Sequence, residues 1–261
     1  GYNLYMNFSG NGWGEPDERG QAVRELNRNE DFRKAITMAV DRKKIGESLV
    51  KGPFTAIYPG GLSSGTSFYD RQSTVYYPFD LEGAKALLEK AGLKDTDGNG
   101  FVNYPADKLG GKDVEVVLLV TSDYSTDKNL AEGVVGQMEK LGIRVVLNAL
   151  DGKQRDAANY GGRWDWMVLR NGAELSSVVQ NTPQLAATGP RTSWNHRVPE
   201  GGQLDLMPFE QELVDIVNKF IASSDNDERT DLMKQYQKVA TTNVNSVGLT
   251  EYPGALIVNK R

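Results

Sequence analysis

Apolar residues recur along most of the chain with the spacing of a strand or of a helix. Residues 113–120 are an almost continuous apolar run flanked by polar residues, which predicts a buried strand. Residues 126–141 place leucine, valine and methionine four apart, which predicts a helix with one buried face. A second apolar run at 143–149 follows at once. A strand–helix–strand unit of this length predicts two parallel strands joined by a right-handed crossover.

The remaining elements extend this alternation over the whole sequence. Further strands are predicted at 2–8 and 164–169, with a strand pair at 246–259, and further helices at 30–50 (turning at Asp41 into a second short helix), 81–91, 151–159, 208–222 and 226–241. Asn29, Asp80 and the acidic run from Asp225 are placed to cap three of these helices. Glycine, proline and polar residues predict irregular structure over most of 9–29 and over 52–79 and 170–207. Alternating strands and helices indicate an α/β fold.

Composition removes many kinds of chemistry. The chain has 261 residues, a formal net charge of -5, no cysteine and one histidine, His196. The absence of cysteine excludes disulfides, thiolate zinc sites and cysteine nucleophiles, and a single histidine excludes any site that needs two imidazoles. A mildly acidic chain lacks the basic face of a general nucleic-acid binder. No apolar run approaches the ~20 residues of a membrane span.

Several segments, in order, resemble one protein family. Residues 33–42 (Arg-Lys-Ala-Ile-Thr-Met-Ala-Val-Asp-Arg) resemble the R-x-A-x-x-x-A-x-D-R helix of the oligopeptide- and dipeptide-binding receptors of bacterial ABC importers, the family 5 extracellular solute-binding proteins. Residues 84–92 resemble the family's A-x-x-L-L-x-x-A-G helix, and 95–100 follow it at the family's spacing. Trp164-Asp165 resembles the F/Y-D start of a strand near the ligand, and 208–258 resemble the C-terminal helices and strands of the family.

The resemblance implies a fold and a domain organisation. It implies a periplasmic-binding-protein-like lobe (type II, cluster C) whose mixed sheet is flanked by helices. Family receptors are longer and have two lobes, and all the matched elements belong to the C-terminal lobe. We therefore expect residues 1–261 to be that lobe, without the N-terminal lobe, and residues 1–8 and 246–261 to lie near the hinge.

The resemblance also implies a function. It implies a substrate-binding component that captures an oligopeptide or a similar small solute between two lobes and delivers it to a membrane permease, with no cofactor. The expected location is the periplasm, or the cell surface as a lipoprotein. A sensor domain of the same fold and a carboxylate-dependent hydrolase are the other hypotheses. No Gly-x-Ser-x-Gly elbow, phosphate loop or evident acid/base pair supports an enzyme.

The end of strand 164–169 carries the main ligand candidates. In the peptide receptors that this chain resembles, a Trp and, three residues on, an Asp follow this strand, and the Asp binds the peptide ammonium group. The matching residues here are Asn171 and Glu174, next to Arg170. An amide and a carboxylate together suit the hydroxyl groups of a sugar. Peptide is the expectation from the family's commonest ligand, and oligosaccharide is the alternative that these two residues raise.

Aromatic loop residues add further candidates. Trp13 and Tyr58 lie in predicted loops, outside periodic faces, where ring platforms suit peptide side chains or sugar rings. The family resemblance implies that Trp194 and Asn195 lie in a loop presented to the cleft. Packing of the loops onto the lobe is the simpler interpretation for most such aromatics. Trp164 and Trp166, two apart on a predicted strand, are expected to share one face and to belong to the core.

Two polar features have structural interpretations that compete with functional ones. Asp95, Asp97 and Asn99 match the first ligand positions of an EF-hand-type calcium loop, but Ala106 stands where the bidentate Glu belongs. We therefore favour Asx turns in a loop that joins a helix to a strand over a metal site. His196 has no evident partner in the sequence and is expected at the surface rather than as a general base.

Overall fold

The computed structural model describes residues 1–49, 56–170 and 182–251, which form one five-stranded sheet with helices on both faces. In chain order the elements are β1 (Tyr2–Met6), α1 (Glu18–Arg28), α2 (Glu30–Ala39), α3 (Arg42–Leu49), α4 (Leu81–Lys90), β2 (Glu115–Thr121), α5 (Ser125–Leu141), β3 (Arg144–Leu150), α6 (Gly152–Tyr160), β4 (Trp166–Arg170), α7 (Pro208–Ala222), α8 (Asn226–Thr242) and β5 (Val247–Thr250).

The strand order in the sheet is β3-β2-β4-β1-β5. Strand β2 pairs in parallel with β3 and β4, whereas β1 is antiparallel to β4 and β5. The carboxyl ends of β2, β3, β4 and β5 therefore meet the amino end of β1 along one side, which we call the carboxyl edge. The opposite side, where β2, β3 and β4 begin, is the amino edge. The β2–α5–β3 unit confirms the expected pair of parallel strands joined through a helix.

Local sequence explains where the helices begin and end. Asn29 accepts a hydrogen bond from the backbone N–H of Phe32, and Asp80 and Asp225 cap α4 and α8 in the same way, as predicted. Gly142 ends α5 with a φ of 92°, a left-handed conformation that favours glycine.

One helix was not expected. Residues 18–28, within the segment predicted to be mostly loop, form α1, which Asp17 caps through the N–H of Gly20. Its apolar periodicity is weak because two of its buried residues are polar. Arg24 donates to the carbonyls of Ser9 and Gly162, and Asn27 donates to the carbonyl of Asn7. Backbone carbonyls, rather than apolar contacts, hold this part of the helix.

The sheet has a large core on one face and a small one on the other. Helix α5 packs on the main core with residues of β2 such as Leu118, whereas Ala158 of α6 packs on the minor core with Tyr5 and Leu119. Trp166 lies in the main core and Trp164 in the minor core. Both are buried, but the expectation that they share one face is wrong because β4 begins at Trp166, so Trp164 lies before the regular alternation of the strand.

A buried arginine fixes the irregular segment that precedes α4. The Arg42 guanidinium donates to the carbonyls of Tyr58, Gly248 and Tyr77 and to the carbonyl and hydroxyl of Thr37. Burial lowers its pKa to about 10. Arg42 thereby ties the loop at 56–77 to α2 and to β5. Of the strand pair predicted at 246–259, β5 is described, and 252–261 lie outside the described residues.

Candidate functional site

The carboxyl edge contains the crevice expected of a ligand site. The connection from β2 runs through α5 on the main-core face, and the connection from β3 runs through α6 on the minor-core face. From β2 the chain runs outward to β3, and after β4 it next joins the sheet on the other side, as β5, so the direction of the connections reverses between β2 and β4. In open α/β sheets, ligands bind at such a switch point, outside the carboxyl ends of the strands. The loop that follows β2 and the end of β4 therefore border the candidate site, and the loop after β3 lies beside them.

These two loops are joined by hydrogen bonds. The N–H of Ser122 donates to the carbonyl of Leu150 at 2.7 Å, and the N–H of Gly152 donates to Asp123 Oδ2 at 3.0 Å. A Cβ atom on Gly152 would lie 2.6 Å from that Asp123 oxygen, so the glycine permits the close approach. The Asp151 carboxylate caps α6 through the N–H groups of Lys153 and Gln154. Asp123 is thus an exposed residue with one carboxylate oxygen held in place by the Gly152 N–H.

Tyr124 follows Asp123 and stands at the start of α5. Its side chain is 66% exposed, more than any other large hydrophobic side chain in the ranges the structure describes. It occupies the N-cap position of α5 and makes no side-chain capping bond. Ser122 and Ser125, on either side, are also exposed. The crevice therefore carries an accessible aromatic ring between hydroxyl groups and a carboxylate.

A buried carboxyl group lies beneath this edge. The Tyr2 hydroxyl donates to Asp127 Oδ1 at 3.0 Å, and only 5% of Asp127 is exposed. Burial raises the pKa of Asp127, against the Tyr2 hydrogen bond and the positive charges of Arg155 and Arg170. Arg170 is exposed at the end of β4. The edge thus combines the exposed Arg170 guanidinium with the buried carboxyl group of Asp127 below it.

The β5 side of the edge is closed by the irregular segment. Glu251 accepts hydrogen bonds from the hydroxyls of Ser63 and Ser64, and its backbone pairs with Ala56. Ile57 is 51% exposed here. The next residue, Tyr58, is buried, and its hydroxyl donates to the carbonyl of Gly61 at 2.7 Å.

The structure brings few of the predicted ligand residues together. Arg170 lies at the carboxyl edge, and Tyr58 lies just beneath it as a packing residue. Trp13 packs against Gly162 at the amino edge. Asn171 and Glu174 lie outside the described residues.

Trp194 and Asn195 lie away from the carboxyl edge. The Trp194 ring centroid is 6.5 Å from that of Tyr5 in the minor core, and the Arg197 guanidinium stacks on it at 4.4 Å. The carbonyl of Asn195 accepts from the N–H of Phe8, and its side-chain amide donates to the carbonyl of Asn245. Both residues thus join loops to the sheet in this structure.

The loop at 95–103 uses its polar side chains on its own backbone. Asp95 accepts from the N–H groups of Gly98 and Gly100 at 2.7 and 2.9 Å, and the Asn99 side chain donates to Asp97 and Asp113. These are the expected Asx turns. The hydrogen bond from Gly100 contributes most to lowering the pKa of Asp95. Within the described ranges, no group of three or more acidic or histidine side chains is arranged to hold a metal ion.

His196 is completely buried, so its predicted surface position is wrong. Its Nδ1 lies 2.9 Å from Glu210 Oε1 and its Nε2 lies 2.7 Å from Asp205 Oδ1. Asp205 in turn accepts from the N–H of Gly10, and Glu210 accepts from the N–H of Met207. The partners come from the loop before α7 and from α7 itself, 9 and 14 residues further along the chain, spacings that match no periodic pattern. The imidazole joins the 9–11 loop to α7.

A cavity of about 610 Å³ lies at the amino edge, and Arg144 and Asp113 form an ion pair in its wall. Arg144 binds Asp113 at 2.8 Å and stacks over Phe101 at 4.0 Å, and Asn99 and Asn103 also donate to Asp113.

The residues at the carboxyl edge that the sequence analysis missed are Ser122 to Ser125. The sequence feature that could have identified them is a polar run between the predicted strand at 113–120 and the predicted helix at 126–141. None of the helices described is long and apolar enough to cross a membrane.

Comparisons with known proteins agree with this architecture. Residues 1–192 match the family model described as bacterial extracellular solute-binding proteins, family 5 Middle. The chain is 84% identical over all 261 residues to the periplasmic alpha-galactoside-binding protein of Rhizobium meliloti (strain 1021), of which it covers 38%. The periplasmic binding protein MelB from Agrobacterium fabrum C58, solved in complex with stachyose, superposes with a TM-score of 0.94 at 73% identity, over 97% of this chain and 38% of MelB.

A more distant relative binds peptides. The oligopeptide-binding protein AppA of Bacillus subtilis (strain 168) is 24% identical over 166 residues, which are 64% of this chain and 28% of AppA. AppA solved with a nonapeptide superposes with a TM-score of 0.73 at 17% identity, which is a similarity of fold. The chain spans less than half the length of each of these relatives.

Proposed function

This chain belongs to the bacterial extracellular solute-binding proteins of family 5, and on that premise we propose that it binds an α-galactoside oligosaccharide as one lobe of a periplasmic receptor of an ABC importer. The family and the periplasmic-binding-protein-like α/β fold predicted from the sequence are confirmed. The observation that carries the proposal is the 84% identity, over the whole chain, to a protein named as an alpha-galactoside-binding protein.

The chemistry at the end of β4 supports sugar over peptide. By the family resemblance, Asn171 and Glu174 replace the Trp and Asp that hold a peptide. An amide both donates and accepts hydrogen bonds and a carboxylate accepts them, which matches the hydroxyl groups of a sugar. Both relatives described above at more than 70% identity are associated with sugars, one by its name and the other by the stachyose in its structure. They support the oligosaccharide alternative and do not support the peptide expectation. The same names do not support a hydrolase.

We propose that residues 1–261 form the C-terminal lobe and that the ligand lies against the carboxyl edge, with Arg170 at its border. A second lobe would close over this edge and exclude water, as in hinge closure around a solute. Hydrogen bonds to the sugar hydroxyls strengthen when water is removed. The closed form would then be presented to a membrane permease in the periplasm, the location named for the Rhizobium meliloti relative.

A chimaera tests this proposal directly. These 261 residues would replace the matching segment of the Rhizobium meliloti receptor, which supplies the rest of a complete protein. Isothermal titration calorimetry should show binding of stachyose and none of a nonapeptide. Glu174→Gln should weaken stachyose binding by about tenfold or more, because a hydrogen bond to a charged group contributes about 1.5–3 kcal/mol.

Asp97→Ala, on the exposed loop at the other edge, is the matched control and should bind stachyose like the unaltered chimaera. Binding of the nonapeptide without binding of stachyose would refute the sugar assignment. Equal stachyose affinity of Glu174→Gln and Asp97→Ala would remove Glu174 from the site.

A further inference from the structure

We propose that Tyr124 and Asp123 form a sugar subsite at the carboxyl ends of β2 and β3, with the Tyr124 ring as a stacking platform and Asp123 as a hydroxyl acceptor. The inference rests on the proposed function and adds to it a subsite separate from the end of β4. Four observations support it: the position, the fixed carboxylate, the exposed ring and the neighbouring strand.

The position is the switch point of the sheet, between β2 and β4 at the carboxyl ends of the strands. The loop after β2, which leads into α5, lies there, and the loop after β3, which leads into α6, is bonded to it. The bond from Ser122 N–H to the carbonyl of Leu150 keeps the two loops in register. A ligand in this space meets groups whose backbone is already fixed, which reduces the entropy that binding must offset.

Asp123 is oriented before any ligand arrives. Its Oδ2 accepts the Gly152 N–H at 3.0 Å, and among the described residues its Oδ1 has no hydrogen-bond partner. The 2.6 Å approach to a Cβ built on Gly152 shows that a side chain there would displace the carboxylate. The remaining oxygen can accept from a sugar hydroxyl, and the exposed hydroxyls of Ser122 and Ser125 can donate to or accept from adjacent ones.

Tyr124 supplies the apolar component. Its ring is 66% exposed and belongs to neither core cluster. The C–H face of a pyranose covers such a ring and removes apolar surface from water, while the tyrosine hydroxyl remains available for hydrogen bonding. An aromatic ring beside a fixed carboxylate therefore matches the two-sided chemistry of a sugar ring better than that of an extended peptide.

The subsite is continuous with the end of β4. Strand β2 lies between β3 and β4, with Leu118 beside Trp166 and Leu119 beside Met167. Beyond this pairing β2 continues to Thr121, one residue before Ser122, and β4 continues to Arg170, so both strands end at the same edge of the sheet. An oligosaccharide that contacts Arg170 with one ring can reach Tyr124 with another.

Stachyose titration of the same chimaera tests the subsite. Tyr124→Ala should weaken binding about tenfold, whereas Tyr124→Trp should keep it within about threefold, because the loss belongs to the ring. Asp123→Asn and Gly152→Ala should each weaken binding by about threefold or more, the second by moving the carboxylate. Tyr160→Ala is the matched control, since Tyr160 is 49% exposed at the opposite end of α6. It should bind like the unaltered protein.

Urea unfolding midpoints within experimental error of the unaltered chimaera would show that each variant is folded. Unchanged stachyose affinity in Tyr124→Ala, with Glu174→Gln still impaired, would overturn the subsite and leave the proposed function intact. Absence of sugar binding in the unaltered chimaera would instead refute the proposed function itself.

Discussion

The two edges of the sheet carry similar residue types in opposite situations. At the amino edge, the buried carboxylate of Asp165 accepts from the N–H of Val117 at 2.8 Å and from Arg19 at 2.6 Å. At the carboxyl edge, Arg170 and Tyr124 are exposed, and Asp123 uses one oxygen on the backbone. The Asp165 contacts at the amino edge stabilise the fold, whereas Arg170, Tyr124 and Asp123 at the carboxyl edge are exposed. Substitutions at the two edges should therefore have different consequences.

The largest effect is expected at Asp165. Asp165→Ala leaves the Val117 N–H and the Arg19 guanidinium without their acceptor, and breaking a buried pair in this way costs about 3–5 kcal/mol. The free energy of unfolding, measured with urea and circular dichroism, should fall by that amount. Asp123→Ala should lower it by less than about 1 kcal/mol. Equal losses for the two variants would contradict the difference between the edges.

A smaller, pH-dependent effect is expected at Asp127, the buried acid beneath the carboxyl edge. Because burial raises its pKa in the folded protein, its ionisation lowers stability as the pH rises through the interval between the unfolded and folded values. Asp127→Asn keeps the acceptor for the Tyr2 hydroxyl but does not ionise. The stability of this variant relative to the unaltered chain should therefore be higher at pH 7 than at pH 3, by urea unfolding at both values. A stability difference that is the same at both pH values, or larger at pH 3, would show that folding does not raise the pKa of Asp127.

The smallest effect is expected at Asp95, in the exposed loop of the amino-edge region. Hydrogen bonds from backbone N–H groups lower its pKa, so its contribution to stability is present near neutral pH and is lost as the pH falls through the folded value. Asp95→Ala should lower the thermal midpoint slightly at pH 7 and not at pH 2. Calcium should shift the midpoints of the variant and of the unaltered chain equally. A calcium-dependent rise in the thermal midpoint that occurs only in the unaltered chain would support a metal site instead.

Elements with strong periodicity could be predicted from the sequence. The predicted helix at 208–222 coincides with α7, and the predictions for β2, α5 and β3 differ from the structure by one or two residues at their ends. In these segments, local apolar spacing and caps agree with the tertiary packing. Helix α1 was missed because Arg24 and Asn27 are buried through hydrogen bonds to distant carbonyls, which no local pattern records.

The candidate site was less predictable for the same reason. Which strand ends meet depends on the order β3-β2-β4-β1-β5, and this order places the loop after β2 beside Arg170. Arg170 could be predicted through the family resemblance. Tyr124 could not, because it has no periodic partner in the sequence. His196 shows the converse error: its carboxylate partners Asp205 and Glu210 become neighbours only after the chain has folded.

The place of β1 in the sheet has a consequence for how the chain folds. Strand β1 pairs with β4 and β5, so Leu4 needs Val168 and Val247, which lie more than 160 residues further along the sequence. The β2–α5–β3 unit can form from neighbouring residues, but the five-stranded sheet is complete only when β5 is available. Contacts between such distant parts of a chain slow folding. The apolar strand at residues 2–6 therefore stays unpaired until β4 and β5 have been synthesised, and a chaperone that shields it in that interval should raise the yield of folded protein.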